Sequence, residues 1–270
     1  MDRFDRISTI SERMMERLKT KHVHASKRVY FPNWVDTETI YPFQGPNALR
    51  EELAIASDTF VALYSGSMGE KQGLEILIEA AHLLAADYPK VLFVLCGEGP
   101  AKKRLVDLAQ GMPNVRFLNL QPLERLNALL NIANVHLLSQ LSNAADLVMP
   151  SKLKAMCASG RPVIATADCD TQVAQVVQRC GIAVPPENVT TLSNAIVYLA
   201  TNPEECTRLG GAARQFAVTH WHQEKVLQQL EEKLVWLCSS ISLESTVETT
   251  LLERSPELDM QEKPLTNRPE

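Results

Sequence analysis

At 270 residues with 45% hydrophobic side chains, the chain is long enough for one large domain or two small ones with a sizeable core. A formal net charge of -5, a pI near 5.8 and the lack of any Lys/Arg block leave no electrostatic footprint for nucleic acid as a partner. Cys96, Cys157, Cys169, Cys180, Cys206 and Cys238 are scattered, with no C-x-x-C and no His/Cys grouping at metal-ligand spacing, so no metal site is expected and the thiols read as reduced, in a cytoplasmic protein.

The N-terminus, MDRFDRISTISERMMERL, is charged and has no apolar h-region, and no apolar run approaches the length of a bilayer span. A soluble protein is expected, or at most one peripheral to the inner face of the cell membrane. Residues 6–20 read as a helix with Ile7, Ile10, Met14 and Leu18 on one face. A basic stretch, KHVHASKR, then leads through a strand-like piece to the turn signal PNWVD at residues 32–36. A polar stretch with Pro42, Gly45 and Pro46 precedes a short helix, NALREELAI. Residues 1–58 are too few to bury a core of their own and read as a remnant or linker.

From Thr59 the pattern becomes regular. Apolar runs at 61–64, 91–96, 115–118, 135–138, 163–165 and 182–184 alternate with amphipathic segments at 72–86, 101–110, 123–132, 152–158 and 171–179. Such alternation calls for parallel strands joined by right-handed crossovers, and continuous apolar strands mean that both faces are covered. The predicted fold is α/β, a Rossmann-like doubly wound parallel sheet over residues 59–238. Helical segments at 191–201, 203–219 and 223–238 close it, and the polar, proline-containing residues 239–270 read as a disordered tail.

In an open parallel sheet, ligands bind beyond the carboxyl ends of the strands, so the loops there are the candidates. In YSGSMGEKQG a strand ends in Gly66, Gly69 and Gly73 just before a helical pattern. This lets the backbone turn sharply and aim free N–H groups at an anion, with Lys71 as a point charge. A plain turn, whose glycines only allow tight packing, is the equal alternative. The run matches neither G-x-G-x-x-G nor a Walker A loop. In CGEGP at 96–100, Glu98 either accepts ribose hydroxyl protons or is a solvated carboxylate in a Gly-Pro turn. Further on, Ser151 is placed to cap a helix beginning at Lys152, which would aim the amides of Ser151, Lys152 and Leu153 and the Lys152 ammonium at the cleft. The alternative is an ordinary cap beside a surface lysine. Asp146 either holds sugar hydroxyls or is a loop carboxylate.

Two anion-receptive turns in one α/β unit point to a phosphate-bearing ligand. His82 and His136 fall within a helix and a strand and read as packing or surface residues, while His220 and His222 flank Trp221, a core aromatic anchor. No nucleophile, base and orienter arrangement is evident, and the catalytic base is unassigned.

YSGSMGEKQGLEILIEAA, CGEGP, PNWVD and the PSKL-x6-GRPVIA run at 150–165 together resemble the C-terminal, nucleotide-sugar-binding half of retaining GT-B glycosyltransferases of family 4. The resemblance covers roughly residues 8–237 and is nearest to the branch of colanic-acid fucosyltransferase-like enzymes. It implies a donor-binding set of Gly66, Ser67, Met68, Lys71, Gln72, Glu98, Leu120, Asp146, Ser151, Lys152 and Leu153, with Gly66 and the following amides beside the pyrophosphate and Glu98 and Leu120 near ribose and base. The implied ligands are a GDP- or UDP-linked sugar and a glycan or lipid-linked acceptor, with no bound metal or other cofactor.

The chain departs from the family pattern. Ser67 and Gln72 stand where the wider family often has Arg and Lys, and the usual E-x7-E pair falls on Leu147 and Ala155. Nearly all of the N-terminal acceptor domain is missing, which implies a fragment or a complementary chain, with apolar surface exposed on the helix at 223–238. The alternative readings are a noncatalytic nucleotide-sugar-binding or partner subunit and, ranked lower, a GT-B-type sugar-nucleotide epimerase.

Overall fold

The computed structural model describes residues 3–142 and 149–252, with side chains through 239. It divides into two units, Met1–Val226 and Leu227–Glu270. The first opens with a strand, β1 (Ile7–Thr9), and a helix, α1 (Glu12–Thr20), followed by β2 (Arg28–Tyr30), which pairs in parallel with β1. A single helix over 6–20 is therefore replaced by strand, cap and helix. The reason is Ser11, whose hydroxyl accepts the Met14 amide at 3.2 Å and so starts the helix after β1. Ile7 lies on the strand, and the apolar face of α1 begins only beyond that cap.

After a short helix, α2 (Ala48–Glu52), come the strands of the main sheet: β3 (Phe60–Ser65), β4 (Val91–Cys96), β5 (Val115–Leu118), β6 (Val135–Leu138), β7 (Val163–Thr166) and β8 (Gly181–Val184). All six are parallel, in the order β5-β4-β3-β6-β7-β8. Each of the six apolar runs becomes a strand. The intervening helices are α3 (Glu75–Leu84), α4 (Lys102–Leu108), α5 (Leu126–Ile132), α6 (Ser151–Ala158), α7 (Gln172–Cys180), α8 (Val189–Thr201) and α9 (Pro203–His220). The sheet has the doubly wound parallel architecture expected from the sequence.

The inner strands β3, β4, β6 and β7 are buried on both faces because helices cover both, while the edge strands β5 and β8 are mostly half-buried. Tyr64, Phe93, Leu95, Val135 and Leu137 pack with α3, α4 and α8 on one side. Val61, Leu63 and Val94 pack with α2 and α5 on the other, and Leu138, Val163 and Ala165 with α6, α7 and α9. Burial of this apolar surface is the main stabilising term. The order reverses at β3 and β6, whose crossovers leave in opposite directions, so a crevice opens above their carboxyl ends.

The segment before β3 is tied to this domain by side chains whose role no periodicity announces. The Asn131 carboxamide accepts the Phe43 amide at 2.8 Å and donates to the Tyr41 carbonyl at 2.9 Å. Arg214 of α9 donates to the carbonyls of Thr37, Ile40 and Ala158 at 2.9, 2.7 and 2.9 Å. Trp221 is buried against Phe216, edge to face at 4.8 Å, as the sequence reading of it as a core anchor anticipated. His136 is wholly buried and hydrogen-bonded to Ser159 at 2.9 Å, the packing role expected of it.

The last helix, α10 (Gln223–Leu252), starts in the first unit and makes up the described part of the second. It does not stop at Cys238 as expected. Leu243, Val247 and Leu251 recur at four-residue spacing with no proline before Pro256, which sustains a helix where polar composition suggested a tail from 239. Leu234, Val235 and Trp236 are exposed on it, as expected for this stretch.

Arg214→Ala should cost about 3 kcal/mol of unfolding free energy by removing three charge-assisted bonds to carbonyls. Urea denaturation of the purified chain measures this, and a loss below about 1 kcal/mol would show that the linker is held by other contacts.

Candidate functional site: an anion cradle at the sheet's switch point

Three loops meet above the carboxyl ends of β3, β4 and β6. The loop after β3 is sewn to the loop after β4: the Gly66 amide donates to the Cys96 carbonyl at 2.9 Å, the Met68 amide to that of Glu98 at 2.8 Å, and the Ala101 amide to that of Met68 at 2.9 Å. The two backbones come so close that a Cβ at Gly97, where φ is +151°, would sit 1.9 Å from the Gly66 carbonyl oxygen. Only glycine fits there. From β6, the Ser139 hydroxyl donates to the Gln72 and Gly73 carbonyls at 2.7 and 3.3 Å, and the Leu141 amide donates to that of Lys71 at 3.2 Å.

This stitching changes which groups a ligand can meet. The amides of Gly66 and Met68 are already bonded to carbonyls, and the Met68 side chain is fully buried in the core. The Ser67 amide makes no hydrogen bond to any described residue, and its side chain is exposed, as is that of Lys71. Gln72 is half-buried; its amide bonds to the Gly69 carbonyl.

Lys152 brings the two anion-receptive turns together. Its Cδ and Nζ lie 3.4 and 3.6 Å from where a Gly66 Cβ would stand, ordinary contact distances, so the lysine packs directly over the turn, and it is the φ of +139° that favours glycine there. The ammonium rests 4.2 Å from the centre of the Tyr64 ring, a cation-π contact. Tyr64 is itself buried, which pushes its phenol pKa up, and the hydroxyl donates to the Ser67 carbonyl at 2.5 Å. Burial alone pushes the Lys152 ammonium down to about 8, and no described carboxylate forms an ion pair with it. A desolvated cation that no described carboxylate pairs, at the mouth of a crevice, makes Lys152 the candidate anion receptor.

The helix start differs by one residue from the expected one. Pro150 is the cap, Ser151 is the first helical residue, and the Ser151 side chain makes no capping bond. Proline wins because its extended conformation lets its carbonyl accept the Leu153 amide at 3.2 Å. Leu153 is thereby turned inward and fully buried, so of the three expected amides those of Ser151 and Lys152 remain for a ligand. Lys154 is almost fully buried, 4.9 Å from the Trp221 ring centre, and burial lowers it also to about 8. Asp146 and Leu147 lie outside the described residues.

On the β4–β5 side, Glu98 accepts from Lys102 at 2.6 Å, and the same ammonium donates to Asn119 at 2.9 Å. Leu120, next in the chain, is 68% exposed. These residues flank the crevice at the side away from Lys152. Tyr64, Lys102 and Asn119 were missed by sequence reasoning; only Lys102 carried a signal, its four-residue spacing from Glu98 on a helix start. Among the described residues no group of three or more His, Cys, Asp or Glu could hold a metal ion.

A doubly wound parallel sheet with a basic, amide-bearing crevice at its switch point defines the class. Residues 47–216 match the model of the family described as glycosyl transferases group 1, and the chain belongs to that family. It is 37% identical over 235 residues to the putative colanic acid biosynthesis glycosyl transferase WcaI of Escherichia coli K12, covering 83% of this chain and 56% of that protein. It is 23% identical to the probable glycosyltransferase WbjE of Pseudomonas aeruginosa, covering 78% of this chain and 52% of the other. The chain thus spans about half the length of these curated relatives.

Solved structures share the fold. Anabaena HepE in complex with UDP superposes with a TM-score of 0.73 at 18% identity, over 86% of this chain and 64% of that one. The C-terminal domain of the group 1 protein LpcC from Francisella tularensis superposes with a TM-score of 0.60 at 16% identity, over 70% of this chain and 99% of that domain. The second match identifies the sheet as the C-terminal domain architecture of GT-B glycosyltransferases.

Lys152→Met should weaken nucleoside diphosphate binding about tenfold or more, since a charge-assisted bond to phosphate is lost. Wild-type affinity should fall as pH rises through about 8, where Lys152 loses its proton, and the variant should lack that step. The unliganded protein should respond in the opposite sense. The Lys152 and Lys154 pKa values are depressed on folding from 10.5 to about 8, so the unfolded chain binds more protons between those values and stability rises with pH across that window. Calorimetric titrations and urea melts between pH 7 and 10 check both signs.

Proposed function

We propose that this chain is the donor-binding half of a retaining glycosyltransferase that moves a hexose or deoxyhexose from a GDP- or UDP-sugar onto a glycan or lipid-linked acceptor in exopolysaccharide synthesis. The observation that carries the reading is Lys152, an ammonium buried beside the Gly66 turn with no described carboxylate to neutralise it. Family membership supports it, as do the likeness to a protein named for colanic acid synthesis and the fold shared with a UDP complex.

In this reading the bond from the anomeric carbon to the diphosphate breaks as the acceptor hydroxyl oxygen bonds to that carbon on the same face, the departing nucleoside diphosphate gathers negative charge, and the hydroxyl proton passes to its leaving oxygen. Lys152, the amides of Ser151 and Lys152, the Ser67 amide and the exposed Lys71 already face that charge, so little reorganisation is needed when it develops. Glu98 and Leu120 would meet ribose and base, with Lys102 holding Glu98 in place. Asp146 is assigned to the sugar. The acceptor and its catalytic partners come from an opposing lobe, in the same protein or a complementary chain, and the reaction takes place at the cytoplasmic face of the membrane. No described helix is long and apolar enough to cross it.

Titration calorimetry of the chain against GDP, UDP and their sugars should show saturable one-site binding to at least one nucleotide and slow or undetectable sugar release. No heat from any of them would refute donor binding. Brisk transfer by the chain alone would refute the division into halves.

A further inference from the structure

A second basic cavity lies at the opposite edge of the sheet. It opens at the amino ends of β3, β6 and β7 and has a volume of about 570 Å³, within the ~300–1,000 Å³ range of small-molecule sites. Its wall is closed by the end of α8 and the first half of α9. None of the donor-binding assignments falls on it.

Arg161, in the turn entering β7, lines this cavity with its Nε buried and without a hydrogen-bond partner. Its one side-chain bond among the described residues is a long one, from Nη2 to Asn131 at 3.5 Å. Behind it, Arg50 also has a buried Nε without a partner, while its Nη2 donates to the carbonyl of Thr59, a lining residue, at 2.6 Å. The two guanidiniums repel each other, and burial with that repulsion lowers the pKa of Arg50. No described carboxylate forms an ion pair with either. Asp58 on the rim is engaged by Lys90 at 2.7 Å.

Two half-buried cations that repel each other and form no ion pair with a described carboxylate are unfavourable, and a bound anion would relieve that cost. The backbone of α9 shows a matching concession. Gly210 is required because a Cβ there would meet the Gly160 carbonyl oxygen at 2.4 Å, but a Cβ at Gly211 would meet nothing within 4 Å. Glycine inside a helix weakens it relative to alanine, and at Gly211 no close contact explains it; what it leaves is room on the cavity wall.

We infer that this amino-edge cavity is a binding site for a small phosphate monoester, held by the Arg161 guanidinium with Arg50 behind it and admitted past the bare α9 backbone at Gly211. A planar guanidinium takes two phosphate oxygens side by side, and the lining hydroxyl and amide groups suit a polyol ester. The site is separate from the donor cradle, so it stands or falls independently of the proposed transfer reaction.

The test uses glycerol 3-phosphate as probe, with sodium chloride at equal ionic strength as control, followed by thermal melting and calorimetry of the full chain. The expected result is saturable binding that persists in Lys152→Met and with UDP present, and that weakens about tenfold or more in Arg161→Gln. Gly211→Leu, which fills the wall without touching the charge, should abolish the response while UDP binding stays unchanged. Because Gly211→Leu also restores a helix former, its melting temperature without ligand should match or exceed that of the wild type, which keeps the test decisive if Arg161→Gln folds poorly. A response no larger than that to chloride, or one that survives in both variants, or one lost in Lys152→Met, would overturn the proposal. Binding to phosphatidic acid vesicles without binding to glycerol 3-phosphate would overturn it in favour of a lipid headgroup.

Discussion

The arrangement at the carboxyl edge depends on a charge that no described carboxylate neutralises. Lys152 is held in a place where burial favours its neutral form, over the Tyr64 ring and beside the Gly66 turn, and it forms no ion pair with a described carboxylate. Desolvation of that kind, offset in the free protein by the aromatic ring, leaves the charged form with more to gain from a bound anion than a solvated lysine has. The fold keeps the charge there by building its surroundings from backbone. Gly66 supplies the positive φ of the turn that the lysine packs over, Gly97 lets the β4 loop press against the Gly66 carbonyl, and Ser139 pins the far end of the β3 loop from β6. The cradle is therefore preformed, which is what electrostatic stabilisation of a departing diphosphate requires.

The two edges of the sheet use the same device in different ways. At the carboxyl edge an ammonium and helix-start amides converge where the crossovers diverge, the location at which open α/β sheets generally take their ligands. At the amino edge the half-buried Arg161 lines a cavity between strand starts and α9, with the half-buried Arg50 close enough to repel it. In both cases a positive side chain stands without an ion pair to a described carboxylate, the nearby Glu98 and Asp58 being engaged by Lys102 and Lys90, while the chain as a whole is acidic. Positive charge is thus local to particular turns rather than spread over a face, consistent with small anions rather than polyanions as ligands.

Much of the fold was legible because strands buried on both faces leave continuous apolar runs, and all six runs became strands of one parallel sheet. The misreadings fell where local hydrogen bonding overrode periodicity. Ile7 and Ile10 fit a helical face, yet the Ser11 cap stopped the helix short of them. Ser151 looked like a cap from its residue type, but the Pro150 carbonyl took the role. At the site, residue types and order located the two turns and Lys152, whereas which amides stay open was invisible in the sequence. That depends on a loop from β4 that consumes the Gly66 and Met68 amides. The linker anchors Asn131 and Arg214 were likewise hidden, since contacts to distant carbonyls leave no pattern.

The protonation of Lys152 itself is the most direct probe of this account. Heteronuclear NMR of lysine-labelled chain, with Lys152→Met used to assign the Nζ signal, follows the ammonium through a pH titration with and without a nucleoside diphosphate. The account predicts a pKa near 8 in the free protein that climbs towards the ordinary lysine value when the diphosphate binds, because the charged form then gains its partner. A Lys152 signal whose titration is the same with and without bound nucleotide would contradict it.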